Sequence, residues 1–240
     1  MKALILAAGR GERLAASTQA KPKAMVQVAG QPLMAHVLQF LTHPDIEGVG
    51  VVVGAQSDMV TEWLEASQSP VRIFHNREHT RGNLLSLFAG REFFDDDILL
   101  CNVDHLYPAT MLDRLARHET HITAACDFDR TLVADDMKIA RNARGHLGQI
   151  HKQLPEYCGG YIGMTRIPYT ARTLYLDAAE ATADRFGPDA AVEWVLGELA
   201  VTGHPVEICD VSGIGWVEVD EPCDLGRAEA FLRQQALRAA

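Results

Sequence analysis

The stretch "LILAAGRGERL", residues 4–14, is an apolar run that gives way at Ala8 to Gly9, Gly11, Glu12 and Arg13. Small residues at such a point let backbone N–H groups approach an anion such as a phosphate closely. An ordinary tight strand-to-helix turn would use the same glycines. Lys21 and Lys23 flank Pro22 shortly afterwards and, each taken singly, read as exposed lysines. Asp104 closes the apolar run "DILLCNVD" at 97–104. A carboxylate facing phosphates is poorly placed unless a cation intervenes, and Mg2+ prefers a few carboxylates together with phosphate oxygens. A turn or helix-capping aspartate ahead of Pro108 is the plainer use. Glu218 and Asp220 stand two residues apart in "GWVEVDEPCDL", 215–225. In a strand they would share a face, and two carboxylates on one face need a cation or a lysine between them.

These residues need elements to hold them. Apolar runs of strand length recur at 3–7, 48–53, 71–74, 97–101 and 121–126, and segments of helical period at 33–41, 58–66, 83–94 and 108–118 alternate with them. That alternation predicts βαβ units and a mostly parallel sheet, in which ligands bind beyond the carboxyl ends of the strands. After about 127 the rhythm changes to shorter strands at 137–141, 146–154 and 158–164, a helix over 187–200, strands near 205–209 and 214–219, and a last helix over 221–238. Neither a low-complexity linker nor an internal repeat divides the chain. The expected fold is α/β, a Rossmann-like, mostly parallel mixed sheet flanked by helices. It is expected as one domain over 1–240, with a nucleotide-binding half at 1–126 and a half at 127–240 that completes the site.

At 48% hydrophobic residues, 240 residues can bury a core. The chain has 22 Lys and Arg against 32 Asp and Glu, a net charge of −10, which argues against general binding to nucleic acid or a membrane surface, both anionic. A small anion held by a few local cations remains compatible with it. The cysteines at 101, 126, 158, 209 and 223 show neither CxxC nor metal spacing. Cys101, Cys126 and Cys209 fall in apolar, strand-like stretches and read as core thiols. With no signal peptide and no membrane-length apolar span, a reduced cytoplasmic protein is expected. The run Asp95-Asp96-Asp97 reads as a solvated turn without a role.

Two common nucleotide motifs fail at the first loop. "GRGERL" lacks the third glycine of G-x-G-x-x-G, and no Gly-Lys-Ser/Thr follows for a Walker loop. A dinucleotide-dependent oxidoreductase is further disfavoured because "VVVGAQ", 51–56, has no acidic residue ending the second long strand. The whole string 4–33, however, reads L-A-A-G-x-G-x-R-L, then K-P-K, then V-x-G-x-P-L. It resembles the signature of the nucleotidyltransferases that make nucleotide-activated sugars and alcohols. The resemblance implies that the backbone at Ala7, Ala8, Gly9 and Gly11 wraps a nucleoside triphosphate and that Arg13 and Lys23 reach its phosphates. It also implies that Asp104 is the first Mg2+ ligand and that Glu218 or Asp220, with Asp220 preferred, is the second. "EHTRGNLLSLFAG", 78–90, is similar to the base-recognition loop of that family, with Gly82, Asn83 and Ser86 at matching positions. Asn83 would serve a helix N-cap equally well. Gly54 is expected on the opposite wall.

A narrower resemblance rests on Asp104-His105-Leu106-Tyr107, Met137-Lys138-Ile139, Gln149-Ile150-His151-Lys152 and Glu156-Tyr157-Cys158. These look like the CTP:inositol-1-phosphate cytidylyltransferases, whose near relatives act on phosphocholine and phosphonates. The implied partners are CTP and a small phosphorylated acceptor, with Mg2+ as cofactor, no nucleic acid, no membrane segment and a possible homodimer. Lys138 and Lys152, in strands that should fold over the site, are expected to touch the acceptor phosphate. The chain is a few residues shorter than the pattern around 127–136, a stretch that should border the acceptor. The alternatives are phosphocholine, a small phosphonate or a sugar 1-phosphate as acceptor, or a non-catalytic nucleotide sensor on the same fold.

Overall fold

The computed structural model describes residues 1–14 and 21–239. Residues 15–20, inside the signature string, lie outside the described residues. Strand β1 (Lys2–Ala7) is buried from Ala3 onward, and a strand covered on both faces reads as an unbroken apolar run. The hairpin β2 (Gln27–Val28) and β3 (Gln31–Pro32) turns the chain into helix α1 (Leu33–Phe40). Then come β4 (Gly48–Val53), α2 (Ser57–Ala66), β5 (Val71–His75), α3 (Leu84–Ala89), β6 (Ile98–Asn102), β7 (His105–Leu106), α4 (Thr110–Leu115) and β8 (Thr123–Asp127). The second half carries β9 (Lys138–Arg141), β10 (Leu147–His151), β11 (Gly159–Ile167), α5 (Arg172–Phe186), α6 (Trp194–Val201), β12 (Glu207–Asp210), β13 (Val217–Glu218) and α7 (Pro222–Ala239).

Among the described residues the main sheet has nine strands, in the path β10-β9-β11-β6-β1-β4-β5 with β8 on β11 and β12 on β8. β6, β1, β4 and β5 run parallel. β11 runs antiparallel to β6, β8 and β9, so the sheet continues from the first half of the chain into the second. Alternate residues of β1 feed opposite cores. Leu4 and Leu6 pack with Leu84 and Leu87 of α3, Tyr175 of α5 and Leu196 of α6, whereas Ala3, Ile5 and Ala7 pack with Val37 of α1, Val60 of α2 and Met111 of α4. Helices therefore flank both faces, as the α/β reading requires.

The parallel strands end level. Ala7 lies opposite Val53, Leu6 opposite Asn102 and Val53 opposite His75. The loops that follow them open along one edge. β1 has β4 on one side and β6 on the other, so the crevice beyond its carboxyl end is the switch point where such sheets take ligands.

Helix α5 has no counterpart among the expected elements. Its buried residues Tyr175, Ala178, Ala179 and Thr182 are at helical spacing, but alanine and threonine give little apolar contrast. The helix expected over 187–200 forms only as α6, because the residues before it are a loop. Asp97, expected to be idle, accepts from Arg166 Nη2 at 2.8 Å and from the Tyr169 N–H at 2.7 Å, tying the end of β11 to the start of β6. Cys101, Cys126 and Cys209 are buried, as expected. Among the described residues no helix is long and apolar enough to cross a membrane.

Candidate active site

The chain leaves β1 through Ala8 and Gly9 and bends at Gly11, whose φ of +65° is a conformation that glycine adopts without steric penalty. The loop lies on the segment that carries the second cation, since the Lys23 N–H donates to the Gly9 carbonyl at 3.3 Å. Fully buried Leu14 pins its far end. Lys23 opens a short 3-10 turn after extended Pro22, and because Ala24 and Met25 turn into the core, the Lys23 side chain is left facing a cleft of about 410 Å³. Ala8, Gly9, Gly11 and Arg13 line one side of that cleft, and Asn83 and Ser86 line the other. Ala7 is buried beneath it.

β6 ends at Asn102 rather than at Asp104, and the chain turns through Asp104 into β7. There β13 pairs antiparallel with β7, Glu218 opposite His105, and the Val219 N–H donates to the Asp104 carbonyl at 2.9 Å. This short ladder carries the acidic residues of the C-terminal region to the first strand-end aspartate. Glu218 and Asp220 do not share a strand face, because β13 stops at Glu218. Asp220 falls in the turn before α7, where its N–H and that of Glu221 donate to Asp224 Oδ2 at 2.9 and 2.8 Å. The two carboxylates part. Glu218 lies with Asp104 and His105, their ligand atoms all within 4.8 Å, and Asp220 enters the cleft.

Lys23 joins the acids. Its Nζ donates to Asp104 Oδ2 at 2.5 Å and to Asp220 Oδ1 at 2.6 Å, and Arg13 also bonds Asp220. The Lys23 side chain is only 12% exposed, in contrast to the exposed lysine expected from its loop. Burial opposes its charge, but Asp104 and Asp220 outweigh burial and hold the ammonium above its ordinary range. Asp104 is likewise disfavoured as an anion by burial, and Lys23 and His105 more than offset this, holding it below the usual carboxylate range. Among the described residues Glu218 has no such direct partner, and burial pushes it up. His105 Nδ1 contacts Asp104 Oδ1 at 2.6 Å, and its ring stacks with Trp216 at 5.4 Å and Tyr107 at 5.6 Å, which fixes the direction of the aspartate. The oxygens of Asp104 and Asp220 meet at one point beside the glycine loop, held here by an ammonium. An oxygen-only donor pair of this kind fits a hard divalent cation such as Mg2+.

The base-side residues are less free than their sequence implied. Asn83 Oδ1 accepts the Val192 N–H at 2.7 Å instead of capping α3, so it clamps the 78–83 loop to the segment before α6. Ser86 Oγ accepts from Asn76 Nδ2 at 3.0 Å. Gly54 stands behind the wall rather than in it. A Cβ there would lie 2.5 Å from His79 Cβ, so the missing side chain admits His79, which lines the cleft. Gly82 is likewise set by close packing against protein backbone. A Cβ there would lie 2.2 Å from the Ala190 carbonyl oxygen, and the Gly82 N–H donates to the Pro188 carbonyl at 3.0 Å. Gly82→Ala must therefore separate two backbones and is expected to destabilise by roughly 2 kcal/mol. The check is urea unfolding, where the midpoint falls at unchanged slope, and an unshifted midpoint would refute this packing role.

The acceptor-side lysines also differ from expectation. Lys138 cannot serve as a free cation. Its side chain is buried, and its Nζ donates to the carbonyls of Val133, Ala134, Asp136 and Lys152. It holds the 128–137 loop together. Lys152 lies in the turn after β10 rather than in a strand, and its Nζ donates to Asp135 Oδ1 at 2.6 Å. Asp224 and Asp135 went unread in the sequence, and His105 carries a resemblance there but no role of its own. His105 could have been suspected from its place beside Asp104. Asp224 could have been suspected as an acid in the first turn of the last helix, where such residues bond free N–H groups. Asp135 left no local signal.

The chain is similar to known proteins over most of its length. A family model described as a MobA-like NTP transferase domain matches residues 3–212. The bifunctional IPC transferase and DIPP synthase of Rubrobacter xylanophilus is 31% identical over 233 residues, covering 96% of this chain and 51% of that protein. The CMP-5'-(3-aminopropyl)phosphonate synthase of Streptomyces rubellomurinus is 28% identical over 249 residues, covering 95% of this chain and 38% of that one. The chain thus spans about half or less of the length of these relatives. In fold it is similar to the inositol-1-phosphate CTP transferase from T. maritima, with a TM-score of 0.83 at 22% identity, covering 98% of this chain and 95% of the other. It is also similar to the CTP:phosphocholine cytidylyltransferase of Streptococcus pneumoniae, with a TM-score of 0.75 at 21% identity, covering 96% and 98%.

Proposed function

Since the chain belongs to the family of MobA-like NTP transferase domains, we propose that it is a cytidylyltransferase that transfers CMP from CTP to inositol 1-phosphate, giving the CDP-alcohol and pyrophosphate. The observation that carries this reading is the Lys23 ammonium held between Asp104 and Asp220 at the edge of a cleft walled by the glycine loop. Cations, carboxylates and backbone N–H groups meet there, as nucleotidyl transfer needs. The choice of cytidine and of inositol is supported by the names of the relatives, one a DIPP synthase and one an inositol-1-phosphate CTP transferase.

The reaction is an in-line displacement. A phosphate oxygen of the acceptor attacks the α-phosphorus of CTP, and the bond to the β-phosphate oxygen breaks as pyrophosphate leaves. An ionised phosphate needs no general base, so catalysis is positioning and charge stabilisation. The loop backbone at 8–11 cradles the triphosphate, Lys23 meets the α-phosphate and the incoming oxygen, and Arg13 takes the charge that grows on the leaving pyrophosphate. Asp104 and Asp220 would hold Mg2+, with Glu218 behind them, and the ion would neutralise phosphate charge that this acidic protein otherwise repels.

The aromatic side chains favour a polyol over choline. A quaternary ammonium needs several open aromatic faces, but Trp216 is engaged by His105 and by the Arg130 guanidinium, 4.3 Å from its ring centre, Tyr107 and Tyr161 are buried, and Tyr157, though exposed, has the Lys138 ammonium 5.8 Å from its ring centre. The test is pyrophosphate release across four nucleotides and a set of acceptors. CTP is expected to exceed UTP, ATP and GTP by at least about tenfold in kcat/KM, the worth of roughly 1.4 kcal/mol, and inositol 1-phosphate to be the best acceptor. Turnover with phosphocholine or a small phosphonate but not inositol 1-phosphate would keep the mechanism and overturn the acceptor.

A further inference from the structure

Arg13 lies on the glycine loop that lines the cleft and Lys152 in the turn after β10, yet both end on one carboxylate. Arg13 Nη1 donates to Asp135 Oδ2 at 2.5 Å, and Lys152 Nζ donates to Asp135 Oδ1 at 2.6 Å. The loop that presents Asp135 is built for it. Buried Lys138 gathers the carbonyls of Val133, Ala134 and Asp136, the Val133 N–H donates to Asp136 Oδ2 at 2.6 Å, and Arg130 stands 3.7 Å from the buried Asp136 carboxylate. The same amine that is unavailable to a substrate thus holds Asp135 out between two cations that are available.

A carboxylate bridging an arginine and a lysine through separate oxygens offers the negative charge and the paired acceptors that a phosphate would bring to the same place. We propose that the gap between Arg13 and Lys152 is an anion seat at the Arg13 edge of the cleft, and that Asp135 fills it as a built-in competitor which a substrate phosphate must displace. The seat deepens the nucleotidyltransferase reading, on which it rests for the identity of its phosphate. Arg13 keeps its second bond to Asp220, so displacing Asp135 leaves the arginine oriented. Arg13, Asp135 and Lys152 are 50%, 48% and 45% exposed, and ion pairs so open to water are weak. The competitor is therefore easily displaced, and its effect on affinity is several-fold rather than many orders of magnitude.

The probe is inorganic pyrophosphate, titrated calorimetrically into the full chain in magnesium buffer, which requires neither the correct base nor the correct acceptor. Asp135→Asn is expected to bind it about three- to tenfold more tightly than the wild type, and Asp135→Glu to return to wild-type affinity. Lys152→Met is expected to weaken binding more in the Asp135→Asn background than in the wild type, because only there is the lysine free of its carboxylate. Equal effects of Lys152→Met in both backgrounds would mean that Asp135 acts through net charge alone, and would overturn the seat. Binding by Asp135→Asn that is unchanged, weaker or absent would overturn it as well. If no nucleotide turns over while the pyrophosphate pattern holds, the seat stands and the cytidylyltransferase reading fails; the reverse result separates them the other way.

Discussion

Lys23→Ala lowers kcat by roughly a hundredfold or more, the loss expected when one donor aimed at developing charge is removed. The same change lowers stability. Lys23 is buried between Asp104 and Asp220, and without it two carboxylates face each other with less compensation. Asp104 keeps His105 and Asp220 keeps Arg13, so the cost is about 2 kcal/mol rather than the larger loss of a fully orphaned buried charge. Pyrophosphate release at saturating substrate reads the first effect and urea unfolding the second. Lys23→Met, which keeps most of the volume, should match the alanine variant in rate. A Lys23→Ala enzyme turning over near the wild-type rate would take this residue out of the mechanism, whatever its stability.

Asp104→Asn is expected to be nearly inactive, about a thousandfold or more below wild type, and EDTA should abolish the activity of the wild type. Asp104 is the point at which three partners meet, with Lys23 on one oxygen and His105 on the other and Glu218 close by. An amide keeps the size but gives up the charge that holds Lys23 and that a divalent cation requires. Asp220→Asn should be milder, because Asp220 sits at the rim with a second cation on it. Titrating Mg2+ into EDTA-treated enzyme measures the requirement directly. Full activity without any divalent ion would remove the metal role from Asp104, Glu218 and Asp220 together.

The first half of the chain is the readable half. In β1, β4 and β6 both faces are covered, so burial leaves long apolar runs that cannot be missed, and the runs of β1 and β6 end in the loops that carry Arg13 and Asp104. The signature over 4–33 and the acid at the end of the next strand group are local in sequence, and the structure brings Arg13, Lys23, Asp104 and Asp220 together as that pattern implies. The second half is harder because its burial comes from packing that sequence contrast does not report. Helix α5 turns alanines and a threonine inward, and Asn83 and Gly82 serve contacts with residues 188–192 that no neighbouring position announces.

What the sequence by itself determined is therefore the α/β class, the placement of the glycine loop and of Asp104 beyond the carboxyl ends of strands, and membership among nucleotidyltransferases, because these rest on short-range pattern and on residues adjacent in the chain. What only the tertiary structure decided is how the charges are shared. The β7–β13 ladder sends Glu218 toward His105 while Asp220 turns to Lys23 and Arg13. The folded 128–137 loop buries Lys138 among carbonyls and leaves the more exposed Lys152 on Asp135. A lysine reads the same in sequence whether its ammonium ends on backbone oxygens, a carboxylate or a phosphate, and only the through-space distance between groups far apart in the chain tells these apart.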